Sequence, residues 1–405
     1  MRPSNHGVRT LALIPDMASP EELEHLGFEH LRKGELKEGL KLILRAAKKY
    51  EDEKKLEDAA RLYYYFGYFF LDRLKKPDKA RPPLLKSAAL YIDLIERELS
   101  RFDIDTERLN EYCTKTLSVF ATVGDEKNLR KYAKYFAEIY EDMARSYMEN
   151  GEVELAVKAY EDAFRYYKIV GDEEAIKRIA DELITAYGRI TEEKVAEGDA
   201  AGAAEAFYRL AGYVLEIFGY DAHYIEMMDT AARNYEKASK LSYSEGNLDG
   251  TTTYLLKAQY AYLLAGNTNR AKLIGLNNVR ITYQVIGSFQ SAGRDRDVAR
   301  KLLELAQSLL AVGKTKEAFK AYKESLNLES SLRSRTLMRI AILKIYGAQR
   351  KDTRVLSAVC DAEYYLDRNN EVRAIEIAND TLQGIPELEP LVKMLHEAEG
   401  ISQEE

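Results

Sequence analysis

The fold is decided by the stretch 151-GEVELAVKAYEDAFRYYKIVGDEEAIKRIADELITAY-187. It opens on Gly151, and a second glycine, Gly171, follows twenty residues later. Apolar residues recur three and four positions apart on both sides of Gly171, which places them on one face of an α-helix. Because glycine is a poor helix former and favours turns, the stretch predicts a shorter helix, a break and a longer helix.

The same punctuation continues along the chain. The breaks from Gly124 on are separated alternately by 27 and by 20 or 21 residues, and Pro77 lies 47 residues before Gly124. The glycines of this ladder are Gly124, Gly151, Gly171, Gly198, Gly219, Gly246, Gly266, Gly293 and Gly313. A fixed period of this size is typical of a solenoid. Since no stretch alternates as a strand would, we predict an all-α, right-handed TPR-like α-solenoid of about eight antiparallel helix hairpins.

The domain boundaries follow from where the ladder begins and weakens. Ser19, Pro20 and Glu22 form a helix-start signal, so residues 1–18 are expected to be a flexible arm. The solenoid is predicted to cover 19–395, regular over about 77–335 and less regular over 336–395. Residues 396–405 are expected to be an acidic tail that frays.

The helix pattern in this stretch resembles a known repeat. Gly151, Ala156, Tyr160 and Ala163 have the spacing of small and large residues found in the second helix of a tetratricopeptide (TPR) repeat. The elongated hairpins resemble the soluble NSF attachment protein (SNAP) family. That resemblance implies an adaptor that grips a helical or coiled-coil SNARE bundle and recruits an AAA ATPase in vesicle trafficking.

The composition argues against several other functions. Apolar residues make up 46% of the 405 residues, which is ample material for a buried core. The net charge of -7 gives no sign of the basic face that nucleic-acid binding usually needs. The two cysteines, Cys113 and Cys360, are too far apart to indicate a disulfide framework or a metal site. No apolar window is long enough for a transmembrane helix. We expect a cytoplasmic protein, with peripheral membrane contact left open.

Motifs for catalysis are weak. The five histidines are scattered, and His25 and His30 have the wrong spacing for two ligands on one helical face. The string Gly313-Lys-Thr315 ends like a phosphate-binding loop, but Ser308 stands where that loop needs a glycine. We therefore predict no enzyme activity, no cofactor and no metal.

A tyrosine recurs once in each longer helix, at Tyr140, Tyr187 and Tyr235, with Tyr283 one step late. Equivalent positions of a solenoid pack equivalently, so these rings form either a core stripe or a ladder along an extended inner groove. Tyrosine is enriched at protein interfaces because it combines a rigid apolar ring with a polar tip. All four are candidate binding residues.

A second candidate is the aromatic run 63-YYYFGYFFL-71, with seven aromatic residues in nine positions. Aromatic residues on all faces of a helix need cover, either from neighbouring helices or from a partner or membrane interface. The candidate binding residues are Tyr64, Tyr65, Tyr68 and Phe69. The sequence as a whole predicts a protein–protein interaction scaffold, with the SNAP-like adaptor as the alternative.

Overall fold

Helices follow one another through residues 18–400, the part of the chain that the computed structural model describes. They are α1 (Pro20–Arg32), α2 (Leu36–Asp52), α3 (Leu56–Tyr68), α4 (Pro77–Leu99), α5 (Thr106–Thr122), α6 (Glu126–Glu149), α7 (Val153–Val170), α8 (Glu173–Glu197), α9 (Ala200–Phe218), α10 (Ala222–Ser244), α11 (Leu248–Leu264), α12 (Thr268–Ser291), α13 (Asp295–Ala311), α14 (Thr315–Leu328), α15 (Leu332–Arg350), α16 (Thr353–Asp367), α17 (Glu371–Gln383) and α18 (Glu389–Glu399).

The predicted alternation of helix lengths is confirmed. The longer helices α6, α8, α10 and α12 have 24, 25, 23 and 24 residues, and the shorter α7, α9, α11 and α13 have 18, 19, 17 and 17. Each glycine of the ladder has a φ between 66° and 87°, the left-handed region in which a Cβ is strained. The fold class is therefore the predicted all-α, TPR-like solenoid, and helices that follow one another pack as neighbours over α1–α5 and over α8–α14.

The chain divides into two compact units. Of the described residues, the first comprises those up to Ile139 together with Arg165–Asp172, and the second comprises Tyr140–Phe164 together with those from Glu173 on. In the first unit, Ser19 caps α1: the Glu22 amide donates to its hydroxyl at 3.1 Å and the Ser19 amide donates to the Glu22 carboxylate at 2.9 Å. This is the capping box that the sequence predicts, and residues 1–17 of the predicted arm lie outside the described residues.

Two boundaries differ from the prediction. The aromatic run is not α-helical throughout, because α3 gives way to a π-helical turn at Phe69–Arg73. The predicted acidic tail begins inside α18, which continues to Glu399 because the side chain of that residue is buried against Arg339. Residues 401–405 lie outside the described residues.

The C-terminal helices of the second unit do not continue the stack. After the extended segment 329–331, α15, α16 and α17 pack on one another. α15 also contacts α11 and α13, and α16 contacts α9. Where these contacts lie, α9, α11 and α13 are thus covered by α15 and α16, so an inner groove along these three helices is not open there.

Replacing glycine by alanine at two positions of α12 is expected to change the free energy of unfolding in opposite directions. A Cβ at Gly275 would come 2.6 Å from Cγ1 of Val312 and from Cδ of Gln259, whereas a Cβ at Gly287 meets nothing within 4 Å. We expect Gly275→Ala to lower the free energy of unfolding by about 1–3 kcal/mol, because Gln259 is buried and cannot move aside. Gly287→Ala should raise it by up to about 1 kcal/mol through helix propensity.

Chemical denaturation of the two variants, followed by circular dichroism, measures this difference. Since both changes add one methyl group to the same helix, only the packing separates them. Equal effects would contradict the close approach of α11 and α13 to Gly275.

Candidate protein-binding surfaces

Three of the four recurring tyrosines are buried. Tyr140, Tyr187 and Tyr235 are 2%, 8% and 2% exposed. The Tyr187 hydroxyl donates to Glu161 of α7 at 2.7 Å, and the Tyr235 hydroxyl donates to Glu205 of α9 at 2.6 Å. Of the two alternatives, a core stripe or a ladder along an open groove, these three rings therefore follow the core stripe. A partner could reach them only after the covering helices had moved, and their role as binding residues stays a prediction.

Tyr283 is different because it is one residue late in the repeat. Thr282 occupies the position equivalent to Tyr235 and is fully buried, while Tyr283 is 54% exposed. One residue turns the side chain by about 100° around a helix with 3.6 residues per turn. The single-residue shift therefore carries Tyr283 from the packed face to the outer face of α12.

The aromatic run of the first unit is partly covered by neighbouring helices. The Tyr65 ring meets Phe28 edge-on at 4.9 Å, and the Tyr68 hydroxyl shares a hydrogen bond with Thr122 of α5 at 2.8 Å. Tyr64, Tyr65, Tyr68 and Phe69 are all half-buried. Their role as binding residues stays a prediction.

The outer face of α12 carries an apolar stripe. Leu273, Leu276 and Tyr283 are 58%, 45% and 54% exposed and lie on one side of the helix over about 15 Å. The two leucines are not among the binding residues predicted from the sequence. The signal was available, since Ile274 marks the packed face of α12 and leucines one residue before it and two after it point away.

The charge on α12 is of one sign. Its only charged side chains are Arg270, Lys272 and Arg280. Arg270 pairs with Glu236 at 2.6 Å. Within the described part of the chain, Lys272 and Arg280 form no ion pair, although Arg280 donates to Asn277 at 3.2 Å. The stripe is therefore bordered by basic groups in a chain whose net charge is -7.

The second surface is the one that α16 covers. α16 runs antiparallel to α9, with Ser357 donating to Glu216 at 2.6 Å and Tyr208 donating to Glu363 at 3.1 Å. Arg209 and Asp367 form an ion pair at the far end. Between these contacts, Gly212 faces Cys360, since a Cβ at Gly212 would lie 3.4 Å from the Cys360 sulfur, an ordinary van der Waals distance.

Beyond α9, the end of α16 reaches α7. Arg368 donates to Asp162 at 3.3 Å and to the Lys158 carbonyl at 3.1 Å, and the Tyr364 hydroxyl donates to Asp162. The Arg368 guanidinium loses solvent on burial, which lowers its pKa, but Asp162 and other neighbours outweigh this and raise it. The contact between α16 and α7 therefore pairs the positive Arg368 with the negative Asp162.

The pKa of Glu205, a carboxylate of α9, is lowered by its basic neighbours. Burial raises the pKa of Glu205, but Lys257 and Arg209, together with the hydrogen bond from Tyr235, outweigh burial and lower it to about 2. Glu205 is therefore ionised at neutral pH and holds Arg209 in position at 3.3 Å, from where Arg209 reaches Asp367.

No group of three His, Cys, Asp or Glu side chains among residues 18–400 is arranged to hold a metal ion. A polar cleft lies between α10, α11 and α12. Its central carboxylate, Glu236, accepts from Tyr262 at 3.1 Å and pairs with Arg270, so the charges of the cleft pair with one another.

No known protein family matches the sequence. No curated protein matches it either.

None of the described helices combines the length and the hydropathy needed to cross a membrane.

Among solved structures, the chain is similar to a circular tandem repeat protein with novel repeat topology, at 15% identity and a TM-score of 0.29 over 94% of this chain and 96% of that one. It is similar to BtubC from P. vanneervenii at 13% identity and a TM-score of 0.22, over 76% and 91% of the two chains. It is also similar to yeast Tom70 at 13% identity and a TM-score of 0.16, over 94% and 95%. Likenesses this low carry no argument about function.

Proposed function

We propose that this chain is a protein-binding scaffold and that a partner docks on the outer face of α12. The observation that carries the proposal is the exposed stripe of Leu273, Leu276 and Tyr283. Apolar side chains that cluster on the surface of a folded chain mark interaction sites more often than scattered ones do. A helical-repeat fold supplies a large rigid surface for such contacts.

The partner that fits this face is an amphipathic helix with acidic residues beside its apolar side. A stripe about 15 Å long matches about three turns of a docked helix, which would place apolar residues against the two leucines and the tyrosine ring. Lys272 and Arg280 border the stripe, so acidic flanks on the partner would complement the charge and fix the orientation.

A photo-crosslinker placed at Tyr283 of the full chain tests this proposal in cell extract. We expect one dominant crosslinked protein, and we expect Leu276→Glu to weaken its affinity at least about tenfold, because a charge would be buried in the contact. Val372→Glu is the matched control, since Val372 is 60% exposed on α17. Unselective crosslinking, or equal loss with both variants, would contradict docking on α12.

The SNAP-like alternative is a finer form of the same proposal. It rests on the resemblance of the elongated hairpins around residues 151–187 to that family. The test is retention of a four-helix SNARE bundle or an AAA ATPase on the immobilised full chain, with and without ATP. If neither is retained under either condition, this alternative is wrong and the general scaffold remains. Both forms of the proposal place the protein in the cytoplasm, without enzymatic activity.

A further inference from the structure

The contact between α16 and α9 has the register of a bound helix. Three successive pairs follow one another in antiparallel order: Glu216 with Ser357, Gly212 with Cys360, and Tyr208 with Glu363. Arg209, next to Tyr208 on α9, reaches Asp367 one turn further along α16. The members from α16 are three or four residues apart and therefore share one face of that helix. A glycine opposite a small side chain and ion pairs at one end are features that position a docked helix.

The face that α16 turns toward α9 is polar and only half-buried, as Ser357, Cys360 and Glu363 show. Its apolar side chains, such as Leu356, Val359 and Ala362, are buried. α16 packs on α15 and α17, and a Cβ at Gly347 of α15 would come 2.7 Å from Leu356. The group α15–α17 thus has apolar packing of its own.

The facing surface of α9 has the same character. Tyr208, Arg209, Gly212 and Glu216 are half-buried, whereas Ala211 and Leu215 on the other side of the helix are fully buried. Separating α16 from α9 would therefore expose mainly polar groups that water can solvate. Since interfaces between parts of one chain that are rich in polar contacts resemble transient protein–protein interfaces, this contact is suited to exchange.

We propose that the paired surface of α7 and α9 is a helix-binding site, that α16 is its resident ligand, and that a partner helix with the same pattern takes its place. The pattern is the one that α16 carries: a hydroxyl residue (Ser357), a small residue three positions later (Cys360), an acidic residue three positions after that (Glu363), and an acidic residue followed by arginine four positions further on (Asp367 and Arg368). Their contacts on α9 and α7 are, in the same order, Glu216, Gly212, Tyr208, Arg209 and Asp162. The site is separate from the outer face of α12.

A disulfide lock tests the exchange in the full chain. In Gly212→Cys, the new Cβ lies 3.4 Å from the Cys360 sulfur, which is close enough for a disulfide after a small adjustment. The probe is a fluorescent synthetic peptide of residues 352–369. We expect the reduced variant to bind the peptide and the oxidised variant to bind it at least about tenfold more weakly, while Gly212→Ala binds it equally under both conditions.

The labelling rate of Cys360 supplies a second readout in the unmodified chain. Cys113 is fully buried in the first unit and serves as the internal reference. Addition of the peptide should accelerate labelling of Cys360 at least about fivefold, because displaced α16 exposes the thiol. Failure of the disulfide to form, peptide binding that ignores the lock, or unchanged labelling would each overturn the proposal.

A charge exchange tests the register. The full-chain variant Arg209→Asp should bind a peptide carrying Asp367→Arg at least about tenfold more tightly than the native peptide. Leu276→Glu on α12 should leave peptide binding unchanged, so failure of this site and failure of the α12 proposal are distinguishable. Equal binding of both peptides by Arg209→Asp would contradict the antiparallel register.

Discussion

Replacing Lys301 by alanine is expected to lower the free energy of unfolding by about 3 kcal/mol or more, the largest single effect we predict within the repeats. The Lys301 side chain is 0% exposed, and its ammonium group lies 2.6 Å from both Asp249 and Glu304. It also donates to the hydroxyls of Thr252 and Thr253 at 2.9 and 3.0 Å. Its removal leaves a cavity and two carboxylates without their closest cation.

The neighbouring Arg300 is the matched control. It pairs with Asp249 at 2.9 Å and Glu304 at 3.3 Å, but it is 42% exposed. Exposed ion pairs contribute about 0–1 kcal/mol, so Arg300→Ala should cost less than about 1 kcal/mol. Urea denaturation at neutral pH compares the two variants. Similar small losses for both would show that the buried position of Lys301 contributes nothing.

The contribution of Lys301 to the free energy of unfolding should become smaller in acid. Burial raises the pKa of Asp249, but hydrogen bonds from Arg300 and Lys301 outweigh burial and leave the pKa lowered. A carboxylate with a lowered pKa adds stability above its unfolded pKa and loses it as the pH falls through the folded value. The difference between the wild type and Lys301→Ala should therefore narrow below about pH 4.

Replacing Glu399 by alanine is expected to release α18 from the second unit. The Glu399 side chain is 0% exposed and accepts two hydrogen bonds from Arg339, at 2.6 and 3.0 Å. Tyr322 of α14 donates to the same carboxylate at 2.7 Å. Loss of one partner of a buried pair costs about 3–5 kcal/mol, and Arg339, which is 4% exposed, would remain buried.

Hydrogen exchange of α18 measures the release. Apart from this pair, α18 packs on α14 and buries Leu395, which is 1% exposed. We expect amides of 389–399 to lose protection at least about 100-fold in Glu399→Ala, since 1.4 kcal/mol corresponds to a tenfold change. Glu397→Ala is the control, because Glu397 is exposed two residues earlier. Unchanged protection in both variants would contradict the proposed role of Glu399.

The same pair should make α18 sensitive to acid. Burial raises the pKa of Glu399, but hydrogen bonds from Arg339 and Tyr322 outweigh burial and lower it. Its contribution to stability is present above the unfolded pKa and is lost as the pH falls through the folded one. Protection of α18 should therefore decrease as the pH falls through the folded pKa of Glu399, which hydrogen exchange at a series of pH values measures.

How far the sequence predicts the candidate surfaces is illustrated by two neighbouring residues. The repeat placed a tyrosine at one position of each longer helix, yet Thr282 takes the buried position and Tyr283 the exposed one. Counting from the glycines gives the position of a residue only to within one residue. A shift of one residue is enough to move a side chain from the packed face of a helix to its exposed face. Burial in a solenoid therefore requires the helix rotation as well as the period.

By itself, the sequence determined the all-α fold, the helix lengths and the turns, because these depend on local spacing and on glycines that accept a positive φ. Only the tertiary structure decided which surfaces remain open. It buried Tyr140, Tyr187 and Tyr235, exposed the stripe on α12 and placed α16 on α9. That last contact joins residues about 150 positions apart, such as Tyr208 and Glu363, and no local pattern specifies such a pairing. It arises from the path of the chain after 329–331 and from charges that match once α7, α9 and α16 are assembled.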